Sequence, residues 1–310
     1  MKLLFPALTL IPGFLLTSAA QDSYQETALI PTETEESFIP TYSFAGAYGL
    51  YVGETDFDTQ ESGDFSYNEA SIWLDAPLYL GHKLKWTLGI RYRYNGLDAG
   101  GETSQLIGSD LDLHRLQLST NLWYDASDRW NFWSRISPGL LSDFSNISGD
   151  DIGVNALALG LYKFNDQWRG AIGGFFTTDL GEAILLPAIG IIWTPNQQWS
   201  LSLTVPRLQI AYAPNRDWLL TLNALPGGGG WNIENPIESE DDLTLNYSAI
   251  RVSAAIERKL GGSQSRLWAF VEGGFHVAQS LEVQNDNEIV LFDEDIDSAF
   301  FGAIGVKLRF

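Results

Sequence analysis

Lys85, Arg91 and Arg93 share one parity along the segment Leu84 to Tyr94, and Trp86, Leu88, Ile90, Tyr92 and Tyr94 take the alternate positions. Alternate side chains of an extended chain point to opposite faces, so this segment has one oily and one charged side. Charged groups repeated along a polar wall set a field across it and select ions. By the same parity Arg115 and Gln117 fall on the charged side of the next such segment, Arg135 on the one after, and Glu69 and Asp75 on the one before. These eight residues are the candidate lumen lining. In a plugged interior the same charges would pair with one another, and residue types alone leave both arrangements open.

Other chemistry is sparser. The three histidines are His82, His114 and His276. His276 shares parity with Glu272, and such a pair could move protons in a lipid hydrolase. A pair lacks the third group of a nucleophile system, and no Gly-x-Ser-x-Gly element occurs, so no catalytic residue is assigned and an enzyme is not expected. Asp293, Glu294, Asp295 and Asp297 could hold a divalent cation or repel anions, but EF-hand spacing is absent and a solvated acidic loop is the plainer reading. No metal and no cofactor are expected. The run Gly227 to Gly230 precedes no Gly-Lys-Ser/Thr element, so it reads as a flexible loop tip onto which Trp231 folds back.

The elements that would position these residues are strands. Leu116, Leu118, Leu122 and Tyr124 alternate with Gln117, Ser119 and Asn121, and Ile304, Val306, Leu308 and Phe310 alternate with Lys307 and Arg309. Short Asn/Asp turns precede Trp130, Trp168, Trp199 and Trp218, and a looser turn precedes Trp86. A tryptophan opening each ascending strand at one height describes an interfacial girdle. The opposite connections are long and acidic: Glu54 to Asp64, Gly96 to Asp110, Asp143 to Asp151, Pro226 to Asp242 and Val283 to Asp297. The pattern predicts an all-β transmembrane antiparallel up-and-down barrel of about 14 strands, with short periplasmic turns and long acidic extracellular loops. The count becomes about 12 if the tight hairpin Trp199 to Pro214 lies outside the wall. Pro77 and Pro187 interrupt strand patterns and are expected at bulges or kinks, since each removes a ladder donor.

Composition agrees. Aromatics make up 13% of the chain with 11 tryptophans, more than an aqueous core needs. Cysteine is absent, so no disulfide scaffold holds the protein. The net charge of −21 argues against a nucleic-acid partner. Met1 and Lys2, the apolar stretch Leu3 to Leu16 and Ser18-Ala19-Ala20 read as a signal peptide over 1–20. Residues 21–37 form an acidic lead-in and 38–310 the barrel.

Ser18-Ala19-Ala20, the Trp-headed strands and the closing strand Ile304 to Phe310 together resemble the bacterial outer-membrane β-barrel class, porin-like in form. The resemblance implies outer-membrane localisation, contact with outer-membrane lipids, and recognition of Ile304, Val306, Leu308 and Phe310 by the barrel-assembly machinery. The segment Trp199 to Leu208 and the following Tyr212-Ala213-Pro214-Asn215 resemble a family of exported barrels of unknown function, which implies no activity. The reading is a porin-like channel for small polar solutes or ions. The alternatives are a structural or adhesion barrel whose acidic loops bind divalent cations or lipopolysaccharide, and a lipid hydrolase.

Overall fold

The computed structural model describes residues 37–40, 42–58, 63–178, 183–235, 242–262, 264–285 and 287–309. The expected signal peptide, the lead-in up to residue 36 and Phe310 lie outside the described residues.

The strands are β1 (Ser43–Asp56), β2 (Asp64–Leu80), β3 (Leu84–Ala99), β4 (Asp110–Asp125), β5 (Trp130–Ser142), β6 (Ile152–Lys163) and β7 (Trp168–Thr177). They continue as β8 (Ile184–Asn196), β9 (Trp199–Thr204), β10 (Arg207–Asn215), β11 (Trp218–Ile233), β12 (Leu243–Lys259), β13 (Leu267–Asn285), β14 (Val290–Ile296) and β15 (Ala299–Arg309). One helix, α1 (Gly101–Ile107), bridges β3 and β4. From β1 to β14 each strand pairs antiparallel with the next, and β15 pairs with both β13 and β1, which closes the ring. β14 and β15 meet β13 in one continuous register, Gln279 opposite Ile296 and His276 opposite Ala299. They are one strand broken at Asp297-Ser298, so the 15 segments make 14 staves. The hairpin β9–β10 stands in the wall between β8 and β11, so the count is not 12.

Alternation decides burial. In β3, Thr87, Gly89, Arg91 and Arg93 are buried and Trp86, Leu88, Ile90 and Tyr92 exposed. The outer belt continues through Ile72, Leu74, Leu122, Ile172, Ile189, Val271 and Ile304. Left in water, each such side chain would forgo about 1.5–3 kcal/mol of burial. An unbroken apolar belt around a closed ring suits a bilayer. No described helix is long and apolar enough to cross a membrane.

Pro77 sits at a register shift against β3. Pro187 does not: β8 runs unbroken past it against β7. On its other edge β9 reaches only to Gly190, so the missing N–H of Pro187 forfeits no bond to β9.

The main departures from the sequence reading are at the loop end. Residues 226–233, expected in a loop, continue β11 and pair with β12 up to Ile233 opposite Leu243. Gly227 to Gly230 are therefore buried strand and not a flexible tip. Gly228 has φ +99°, and a Cβ there would lie 2.0 Å from the Tyr247 carbonyl oxygen, so only glycine fits. Asp293, Glu294 and Asp295 belong to β14, and the Gly96 to Asp110 connection contains α1, whose Ile107 is buried in the core.

Above Ala224, β11 parts from β10 and turns into the barrel together with β12, which stays paired with β13 as far as Leu243 opposite Asn285. Both faces are buried over residues 225–233 and 245–249. The tip meets β5, with five staves between them around the wall, and Asn232 lies in parallel pairing opposite Ser142. The Asp143 N–H donates to the Asn232 carbonyl (3.3 Å), and the Asp143 carboxylate accepts from the Glu234 N–H (3.0 Å). Leu225, Trp231, Ile233, Leu243, Leu245, Tyr247 and Ala249 join one core with Leu50, Val52, Phe65, Tyr67, Leu97, Leu113 and Leu141 of β1–β5. The inner faces of β5–β8 form separate small clusters, Leu161 with Ala171 and Ile192, and Trp133 with Leu159 and Ala188.

Candidate functional site

The barrel interior is the site, and the crossing hairpin divides it. Beneath the hairpin lies a polar network centred on Glu69 of β2. Its carboxylate accepts hydrogen bonds from Tyr48 and from Tyr67 (3.0 Å). Arg93 Nε stands 3.6 Å from one oxygen and Arg251 Nη2 3.8 Å from the other, all three side chains being at most 1% exposed. Taking these ions out of water is costly, and one carboxylate between two guanidiniums and two hydroxyls offsets that cost.

A directed chain of bonds leaves this cluster. Arg251 Nε donates to His276 Nε2 (3.0 Å), and arginine can only donate, so Nε2 is the acceptor of a neutral ring and Nδ1 carries the proton. Nδ1 then donates to the Tyr247 hydroxyl (3.0 Å), which donates to Gln279 Oε1 (2.6 Å). Gln279 Nε2 donates to the Asp297 carbonyl at the break between β14 and β15. Tyr247 belongs to the crossing hairpin and its ring packs on Phe65 (5.1 Å) and Tyr67 (4.9 Å), so the network ties the hairpin to the wall. His276 and Glu272 enter different networks: both nitrogens of His276 are engaged as above, and Glu272 accepts from Ser253.

Nearer the turn end, Lys307 Nζ (2.8 Å) and Arg309 Nη2 (2.7 Å) donate to the two oxygens of Glu257. Lys307 also lies 4.3 Å from the Phe270 ring. Phe38 and Ile39 pack at this end against Ala211, Ala213, Leu219 and Trp268, and the Phe38 N–H donates to the Gln197 carbonyl (2.9 Å).

Of the candidate lining residues, Glu69, Arg93 and Arg115 are buried on the inner face under the hairpin, with Arg115 6.0 Å from the Trp231 ring. Arg91 and Gln117 are buried one residue pair lower. Lys85, Asp75 and Arg135 occupy the same inward register and are half-buried, and Arg135 Nε donates to Ser137 (3.1 Å). Arg251, Glu257, Lys307 and Arg309 were readable by parity, because each alternates with outward apolar residues. Tyr48, Tyr67, Tyr247 and Gln279 carried no charge to flag them.

Trp86, Trp130, Trp168, Trp199 and Trp218 lie at the turn end on the outer face. Trp86 Nε1 donates to Thr120 (2.7 Å), Trp130 packs on Tyr162 (5.0 Å), and Trp168 stacks on Trp193 (5.3 Å). Trp199 packs on Tyr212 (4.5 Å), and the Arg258 guanidinium lies 5.0 Å from Trp218. Ile304 and Val306 are exposed and Leu308 half-buried on the same outer face. Among the described residues no group of His, Asp and Glu could hold a metal ion.

Residues 54–309 match the family model described as a domain of unknown function (DUF6268). No curated protein sequence matches the chain. Among solved structures, the chain is similar to an outer membrane channel from Pseudomonas putida F1 (11% identity, TM-score 0.48, 89% of this chain and 98% of that one). It is similar to the P. putida toluene transporter TodX (11%, 0.48, 96% and 99%) and to the KdgM porin in complex with disordered oligogalacturonate (8%, 0.36, 86% and 99%).

Proposed function

The chain belongs to that DUF6268 family, whose description names no activity, and we propose from the barrel itself that the protein is a narrow outer-membrane channel for small polar solutes or ions. The observation that carries the reading is a closed ring of 14 staves whose inner faces carry polar side chains on both sides of the inturned hairpin. Trp231, Ile233, Leu243, Leu245 and Tyr247 are each at most 2% exposed. At about 1.5–3 kcal/mol for each buried side chain, swinging the hairpin out would cost on the order of 10 kcal/mol. That equals the whole stability of a typical domain, so the hairpin is a fixed partition and not a flap.

The path then runs on the other side, along the inner faces of β6–β10, where Asn155, Thr204, Arg207 and Gln209 stand among Leu157 and Ala188. Glu69, Arg93 and Arg115 hold the partition in place and do not line the path. The turn end is periplasmic and the loop end extracellular, which puts the tryptophan ring at the inner interface.

Planar-bilayer recording of the refolded full chain tests this. Discrete small steps are expected, and Asn155→Lys should cut their size by at least about half, since a charge in a narrow path acts strongly on passing ions. A folded, heat-modifiable barrel without steps would overturn the channel. That outcome would favour a closed structural barrel, the reading supported by the partition at one end and Phe38 and Ile39 at the other.

A further inference from the structure

A cavity of about 420 Å³ opens at the loop end, on the far side of the partition from the Glu69 network. Its floor is the partition, with Asn232 and Thr244, and its walls are Asp150 and Asp151 from the β5–β6 connection and Gln284 and Glu288 from the β13–β14 hairpin. The volume suits a molecule of monosaccharide size.

The lining is one-sided in charge. Asp150, Asp151 and Glu288 contribute carboxylates, and no described lining residue is Lys or Arg. None of the 18 basic residues of the chain falls within 136–162, 217–250 or 267–306, the segments that supply most of this wall.

One buried group at this wall has unused hydrogen-bonding capacity. Asp151 is 1% exposed and accepts the Ser148 N–H on Oδ2 (2.6 Å), while its Oδ1 has no hydrogen-bond partner among the described residues. A buried carboxylate oxygen without a donor is costly, and a ligand that supplies one recovers that cost. The carboxylates are too dispersed for one metal ion, since no metal-holding group exists among the described residues. They suit an extended ligand with several donors. Asn232, Thr244 and Gln284 add side-chain donors and acceptors for hydroxyl groups.

We propose that this cavity binds a small, hydroxylated organic cation of the amino-sugar class, with its ammonium on Asp151 and its hydroxyls among Asn232, Thr244 and Gln284. The binding stands on the cavity alone. Only the role of the ligand as a permeant rests on the channel reading above.

Calorimetry on the refolded full chain with glucosamine, at about pH 6 where the amine is protonated, tests the proposal. Glucose serves as the uncharged counterpart of the same shape. Saturable glucosamine binding, absent with glucose and weakened about tenfold or more in Asp151→Asn, is the expected result. Equal binding of the two sugars, equal binding by wild type and a folded Asp151→Asn variant, displacement by Mg²⁺ at stoichiometric levels, or no saturable heat would each overturn it. Because this readout needs no conductance, a silent bilayer beside a positive titration would remove the channel and keep the site.

Discussion

Glu69 shows at residue scale why a charge in a barrel interior need not belong to a pore. It faces two guanidiniums and two hydroxyls with no exposure of its own side chain. Glu69→Gln keeps the volume and removes the counter-charge of Arg93 and Arg251. Breaking a buried ion pair from one side typically costs about 3–5 kcal/mol. The variant should therefore unfold at clearly lower urea than wild type in a heat-modifiability assay, while any conductance of the folded fraction keeps its step size. Changed steps with unchanged stability would place Glu69 in the path. Parity could identify Glu69, Arg93 and Arg115 as inward, because alternation with apolar neighbours is local information. It could not distinguish a pore wall from a packed network, since both require polar inward residues.

At the scale of elements, strand ends at the turn side follow from Asn/Asp turns and Trp positions, whereas the loop side is decided by pairing. Residues 226–233 look like a loop, with a proline and four consecutive glycines, yet they form strand because β12 offers a partner along their length. Glycine there lets the two backbones approach closely. The partition reading makes a specific prediction. The chain has no cysteine, so Ser142→Cys with Asn232→Cys places a single pair where β5 meets the hairpin tip. Oxidising that pair should leave the single-channel steps unchanged, because the contact is already permanent. Steps present under reduction and lost on oxidation would mean that the hairpin moves and gates. The fate of Pro187 is of the same kind: it is tolerated without a bulge because β9 is short, a fact about a neighbour and not about proline.

For the whole molecule, the charge distribution and the aromatic ring give opposite ends different character. The loop end is acidic and the turn end carries Trp86, Trp130, Trp168, Trp199 and Trp218. An acidic mouth raises the local concentration of cations and depletes anions, which accords with a cationic ligand in the cavity there. Orientation is testable in a Gram-negative host with single cysteines. Ser145→Cys, in the β5–β6 connection, should react with an impermeant maleimide on intact cells. Ser127→Cys, in the β4–β5 turn, should react only after permeabilisation. The reverse pattern would invert the topology, and labelling of neither on intact cells would place the barrel away from the cell surface.

The amino-acid sequence by itself determined the barrel: period-two alternation, an even set of strands, Trp-headed short turns and the inward parity of eight candidate lining residues. These follow from interactions between near neighbours and from the demand that an unpaired backbone not face lipid. Only the tertiary structure decided that the upper part of β11 parts from β10, turns inward with β12 to meet β5, and buries Trp231 and Tyr247 against β1–β4. That choice depends on contacts between residues more than 80 positions apart, such as Asp143 with Glu234, and no local period records it. The cavity on the partition exists only because that inward turn brings β11, β13 and the β5–β6 connection to one place.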